Sequence, residues 1–181
     1  MKNIKSTLAI SALIFSGGVF AAGTTDDTSA TLTITGAVNA SAHCDLSLSQ
    51  STLPVSADID HLIDQGYKNY DESGPQLLIY LTGGQACSDL VNQGKVVLHF
   101  IGEADTSLGT VIRNDDTSAE GARGVGVGIF DSEHTPINLN QNVLKATGQN
   151  NSIFLQMVKL RNQTATTGNY QGSLMIQEEQ L

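Results

Sequence analysis

The chain has 181 residues, 18 acidic against 9 basic for a formal net charge of −9, no Trp, and only 5% aromatic residues. That balance excludes nucleic acid and anionic membrane surfaces as partners, since both need clustered Lys and Arg. The shortage of rings makes a lectin built on stacked aromatic faces the weaker reading, while 18 glycines among short runs of Thr, Ser, Val and Leu fit many strands joined by turns.

Lys2 and Lys5 precede a short apolar core, LAISALIF from Leu8 to Phe15, and SGGVFA then ends with Val19 and Ala21 at the −3 and −1 positions of a cleavage site. Residues 1–21 therefore read as a secretory signal peptide, too short to span a membrane. AGTTDDTS, Ala22 to Ser29, reads as a disordered lead-in. ATLTITGAV follows, in which Ala30, Leu32, Ile34, Gly36 and Val38 alternate with Thr31, Thr33, Thr35 and Ala37. This is a period-2 strand with one apolar edge and a glycine gap at Gly36. It is either the first strand of a sandwich or a strand donated to another molecule.

Cys44 and Cys87 are the two cysteines. In an exported chain, two cysteines make one disulfide, and closing this loop stabilises the fold by about 4 kcal/mol on a chain-entropy estimate. A metal pair would need further Cys or His ligands at short spacing, and none is present. DLSLS, Asp45 to Ser49, is a short strand broken by Leu53-Pro54-Val55. DIDHLIDQGY, Asp58 to Tyr67, is the one helical candidate: Ile59, Leu62 and Ile63 share a face, Asp58 can cap and Gly66 can stop it, though an irregular loop fits too. Strands are predicted at Gln76–Thr82 (leading into the Cys87 loop), Lys95–Ile101, Thr110–Arg113, Gly124–Phe130, Ser152–Leu160 and Asn169–Gln177. Their spacing is that of a sandwich rather than a βαβ fold.

Catalytic signals are missing. GVGVG does not open a helix as a phosphate loop does, and strand packing is its plain explanation. Asp58, Asp60 and Asp64 beside His61 lack the glycine and terminal Glu of a calcium loop, so a solvated acidic face explains them. The four histidines are dispersed, adjacent carboxylates such as Asp115-Asp116 form no hydrolase pair, and there is no G-x-S-x-G elbow. No enzyme, cofactor or metal site is expected.

The order and spacing of these segments resemble the fimbrial subunits, or pilins, of the chaperone–usher pathway. The resemblance is carried by the alternating tail with Gly36 ahead of Cys44, by QLLIYLTGGQAC, KVVLHFIGEAD and GVGVGIFDSEHTPINLN, and by the closing GNYQGSLMIQ. The chain departs from that family at its end, where Glu178-Glu179-Gln180-Leu181 replaces a near-terminal aromatic. The resemblance implies an all-β, incomplete immunoglobulin-like sandwich lacking its last strand. It implies a donor-strand extension over residues 22–40 and a pilin domain over 41–181. It further implies a periplasmic chaperone, an outer-membrane usher and neighbouring pilin subunits as partners, with export to the periplasm and then a surface fimbria. On this reading Ala30, Leu32, Ile34 and Val38 would enter a neighbour's groove, with Gly36 at the family's gap. Tyr170, Leu174 and Ile176 of the last strand would face this subunit's own groove, whose other side is strand one of the core. The alternative is a secreted single-domain carbohydrate-binding adhesin or a minor adaptor subunit.

Overall fold

The computed structural model describes residues 42–68 and 74–181, together with residue 35. Contacts divide the chain into Met1–Asn39 and Ala40–Leu181, and the architecture below belongs to the second unit. The signal peptide and the tail residues Ala30, Leu32, Ile34, Gly36 and Val38 lie outside the described residues.

Two sheets face each other. The first contains β1 (Asp45–Leu48), β2 (Ile63–Asp64), β3 (Gln76–Thr82), β5 (Val111–Arg113), β6 (Val125–Phe130) and β8 (Asn150–Lys159). Its order is β1-β3-β8-β6-β5, and β2 pairs in parallel with the far end of β8. The second contains β4 (Val96–Gly102), β7 (Val143–Lys145) and β9 (Leu174–Gln180), in the order β7-β4-β9. Alternation along the strands sends one set of side chains inward. Ile79 and Leu81 of β3, Leu98 and Phe100 of β4, Ile129 of β6 and Ile153 of β8 meet there, all at most 1% exposed. The fold is therefore the all-β sandwich expected from the sequence.

The predicted strands at Gln76–Thr82, Lys95–Ile101, Gly124–Phe130 and Ser152–Leu160 match β3, β4, β6 and β8 to within two residues at each end. GVGVG is strand, as expected: a Cβ on Gly126 would sit 2.3 Å from Val111 Cγ1 on neighbouring β5, so the strand packs too closely for a side chain there. Four features differ. The helical candidate at 58–67 shrinks to a single 3-10 turn, Ile59–His61, in which Asp60 N–H donates to the Asp58 carboxylate at 3.1 Å. Its remaining apolar residues are better buried by ladder pairing: Ile63 opposes Val158 on β8 and packs against Phe130 and Leu160. A nine-residue helix, α1 (Gly84–Asn92), occupies the predicted Cys87 loop, burying Cys87 and Val91 one turn apart. β7 is only three residues long and stands out from its polar surroundings only through pairing with β4. Finally, the last strand begins at Leu174 and runs on through Glu178, Glu179 and Gln180, which the sequence reading placed beyond it. Full pairing with β4, from Val96↔Gln180 to Gly102↔Leu174, holds that acidic end in the ladder. On the outer face, His99 Nε2 lies 2.5 Å from Glu179 Oε2, tying the two strands together.

Cys44 and Cys87 are disulfide-bonded, joining the start of β1 to α1. Gly83 makes the approach possible. Its φ is +146°, and a Cβ there would lie 2.4 Å from the His43 carbonyl oxygen and 2.8 Å from Cys87 Cβ. Non-reducing peptide mapping of exported protein is expected to recover the Cys44–Cys87 pair, and replacing both cysteines by Ala should lower stability by about 2–5 kcal/mol in urea unfolding.

Asp105, 8% exposed, shapes the loop between β4 and β5. Its Oδ2 accepts from the backbone N–H groups of Ser107 and Leu108 at 2.8 and 3.0 Å. Burial disfavours its charge, but the Gln65 side chain and these backbone donors outweigh that and hold the carboxyl below its usual value. The stabilisation is thus present above the unfolded-state value of about 3.9 and fades as pH falls through the folded value. Asp105→Asn should lower the urea midpoint at neutral pH and flatten the loss of stability below about pH 4.

Candidate functional site

The site follows from where the sheets end. β1 is the edge of the larger sheet and β9 the edge of the smaller one, and among the described residues no strand pairs with either outer side. Between these edges runs an apolar groove of about 140 Å³. One wall is Leu48 of β1 with Leu53 and Val55 of the segment after it; the other is Leu174 and Ile176 of β9. Leu77, Ile112, Val127 and Leu155, from four strands of the larger sheet, also line it.

The local sequence explains each wall. Pro54 cannot donate to a ladder, so the chain leaves β1 without a further strand while Leu53 and Val55 still pack on the core. On β9, alternate residues turn inward, Leu174, Ile176 and Glu178, while Met175, Gln177 and Glu179 are exposed. Glu178 is out of keeping with an apolar strand face: its Oε1 is buried and has no hydrogen-bond partner among the described residues.

Tyr170 and Gly172 also line the groove, just ahead of β9. Tyr170 was expected within the last strand, but it lies before it, and its side chain crosses to the opposite sheet. The Tyr170 hydroxyl donates to the Ile112 carbonyl at 3.0 Å. Burial, reinforced by the Asp115 carboxylate, pushes the phenol far above its ordinary value, so it remains a neutral donor. Gly172 leaves room for it: a Cβ there would meet the Tyr170 hydroxyl at 2.5 Å and Ile112 Cγ2 at 2.9 Å.

Of the residues singled out in the sequence, Tyr170, Leu174 and Ile176 thus share one groove, and Cys44 and Cys87 share one bond. The donor-strand residues lie outside the described part of the chain. Leu48, Leu53, Val55 and the inward Glu178 were not singled out. Leu53 and Val55 alternate on either side of Pro54, which was the available signal for an edge segment with one buried face. Asp58, Asp60, Asp64 and His61 do not converge: among the described residues, no group of three or more His, Cys, Asp or Glu side chains could hold a metal. No described helix is long and apolar enough to cross a membrane.

No family model matches the chain, and no curated protein matches its sequence. Among solved structures it is similar to the P pilus rod subunit PapA, with a TM-score of 0.50 and 16% identity over 83% of this chain and 100% of that one. At that identity the likeness concerns the fold, which is a pilin-like, immunoglobulin-type sandwich.

Replacing Gly172 by Val should displace Tyr170 from the Ile112 carbonyl and cost about 1–3 kcal/mol through overpacking. Urea unfolding would measure the loss, and tyrosine fluorescence would report the altered ring environment.

Proposed function

We propose that the chain is a structural subunit of a fimbria that polymerises by donor-strand exchange. The observation that carries this reading is the groove itself: an apolar trough flanked by two strands whose outer backbone groups no described strand pairs. Such a trough suits an added strand, whose main chain supplies hydrogen bonds and whose alternate side chains fill pockets. The occupant proposed is the Ala30–Val38 segment of a second copy or of another pilin. Burying Leu32, Ile34 and Val38 would contribute about 1.5–3 kcal/mol each before ordering costs. Before assembly a periplasmic chaperone would fill the groove, and an outer-membrane usher would exchange it for the next subunit's tail. On this reading the chain is exported, is not an enzyme and needs no cofactor. The pilin-like fold supports the proposal.

Fusing a copy of Ser29–Asn39 after Leu181 through a short flexible linker should yield a monomer more heat-stable than the unfused chain, because the groove is then filled in cis. Equal melting temperatures would remove the proposal. Donated positions should also separate folding from assembly. Leu32→Asp would bury a charge only in the neighbour's groove, and a bulky residue at Gly36 would overpack it. Both variants are expected to form the chaperone complex normally and to give no surface fibre by electron microscopy. Loss of the chaperone complex would make the tail an ordinary first strand of its own fold.

A further inference from the structure

A second concavity, of about 310 Å³, opens where β2 ends and β8 runs out into the turn at 160–163. It shares no lining residue with the groove. Its working surface is Asp64, Tyr67, Lys159, Arg161, Asn162 and Gln163. Tyr67 is 62% exposed, an unusual position for a ring in a chain with so few. Arg161 stands out for a different reason. Elsewhere in this acidic protein the arginines are engaged: Arg113 pairs with Glu103 and Asp115, and Arg123 donates to the carbonyls of Asp116, Thr117 and Ser118. No described carboxylate lies within ion-pair distance of Lys159 or Arg161, although Asp64 is Lys159's register partner.

The frame beneath is hydrogen-bonded across the sheet end. Gln65 is 2% exposed, its Nε2 donates to Thr110 Oγ1 at 3.2 Å, and its Oε1 accepts from the Arg161 backbone N–H at 3.2 Å. Asn162 holds φ at +61°, in the left-handed region that Asn tolerates better than most residues. The turn that carries Arg161, Asn162 and Gln163 is thereby pinned to the sheet end.

We propose that this pocket binds a saccharide bearing a carboxylate. The exposed Tyr67 ring offers a face for the C–H side of a pyranose. Arg161 and Lys159 supply the charge, and a guanidinium matches a carboxylate with two parallel hydrogen bonds. Asn162, Gln163 and Asp64 provide the mixed donors and acceptors that hydroxyl groups require. The volume lies at the lower end of the range of small-ligand pockets, about 300–1,000 Å³, which favours a few sugar units over a peptide strand. Because the groove lies elsewhere, a subunit could bind the sugar whether or not its groove is filled.

The test uses the purified full exported chain, recovered as monomer or as fibre, with sialyllactose as probe and lactose as its neutral control. Saturation-transfer NMR should show contact from the acidic sugar of sialyllactose and none from lactose. Tyr67→Ala and Arg161→Gln should each weaken calorimetric affinity by about tenfold or more, with the melting temperature unchanged because both side chains are exposed. Lys159→Gln serves as the second charge variant should Arg161→Gln lose its fold. Ile176→Ala, in the groove, should leave affinity unchanged. The proposal is overturned by silence from sialyllactose and glucuronic acid at millimolar concentration, by equal binding of lactose, or by full affinity in the folded Tyr67 and charge variants. Binding of an oligoglutamate peptide without binding of either acidic sugar would equally overturn it and assign the pocket to acidic peptides.

Discussion

The backbone on the outer sides of β1 and β9 is the constraint on which this structure turns. Each strand is fully laddered on one side, β1 to β3 and β9 to β4, and has no partner strand on the other among the described residues. Unpaired N–H and C=O groups at a sheet edge invite another strand. The apolar trough between these two edges adds a second unmet demand, because Leu48, Leu53, Val55, Leu174 and Ile176 line it and are only partly buried against the core. Backbone and side-chain needs coincide along one line, and an extended segment with alternating apolar residues would meet both at once.

The surroundings hold that trough in shape. The disulfide fastens the beginning of β1 to α1, so one wall is anchored covalently at its start. The other wall rests on seven register pairs with β4 and on the His99–Glu179 contact outside. Tyr170 spans from the segment leading into β9 to the Ile112 carbonyl, and Gly172 provides the space that the crossing requires. On the proposed reading such a site would work by staying open, since a collapsed groove could not accept a strand. The inward Glu178 fits the same logic: a carboxylate with an unpartnered oxygen is a costly way to close a core.

The chain carries a net charge of −9, which disfavours acidic partners in general. In the pocket at the end of β8, Lys159 and Arg161 lie beside an exposed ring with no described carboxylate at ion-pair distance. In the proposed fibre the groove would be consumed by assembly, whereas that pocket would be repeated on every subunit. Repetition multiplies weak binding by effective concentration, so a modest single-site affinity would suffice at a surface carrying many copies of the sugar.

Much of the fold was legible because it is written in local alternation. Gln76–Thr82, Val96–Gly102 and Asn150–Lys159 are long enough for their period-2 patterns to stand clear. Two cysteines behind an expected secretory leader pointed to their bond, and the resemblance of the closing GNYQGSLMIQ to a pilin's last strand pointed to Leu174 and Ile176. Other elements depended on distant partners. Ile59, Leu62 and Ile63 have helical spacing, yet β8 offered Ile63 a ladder and a buried contact that a short exposed helix could not match. α1 is nine residues long and starts on the second of two glycines, so it read as loop until Cys87 and Val91 were seen buried on one side of it. β7 has three residues and is a strand only because β4 lies beside it. The groove and the pocket at the end of β8 are further cases: each joins side chains from segments far apart in the chain, and which segments meet is decided by sheet order, a property of tertiary packing rather than of any local pattern.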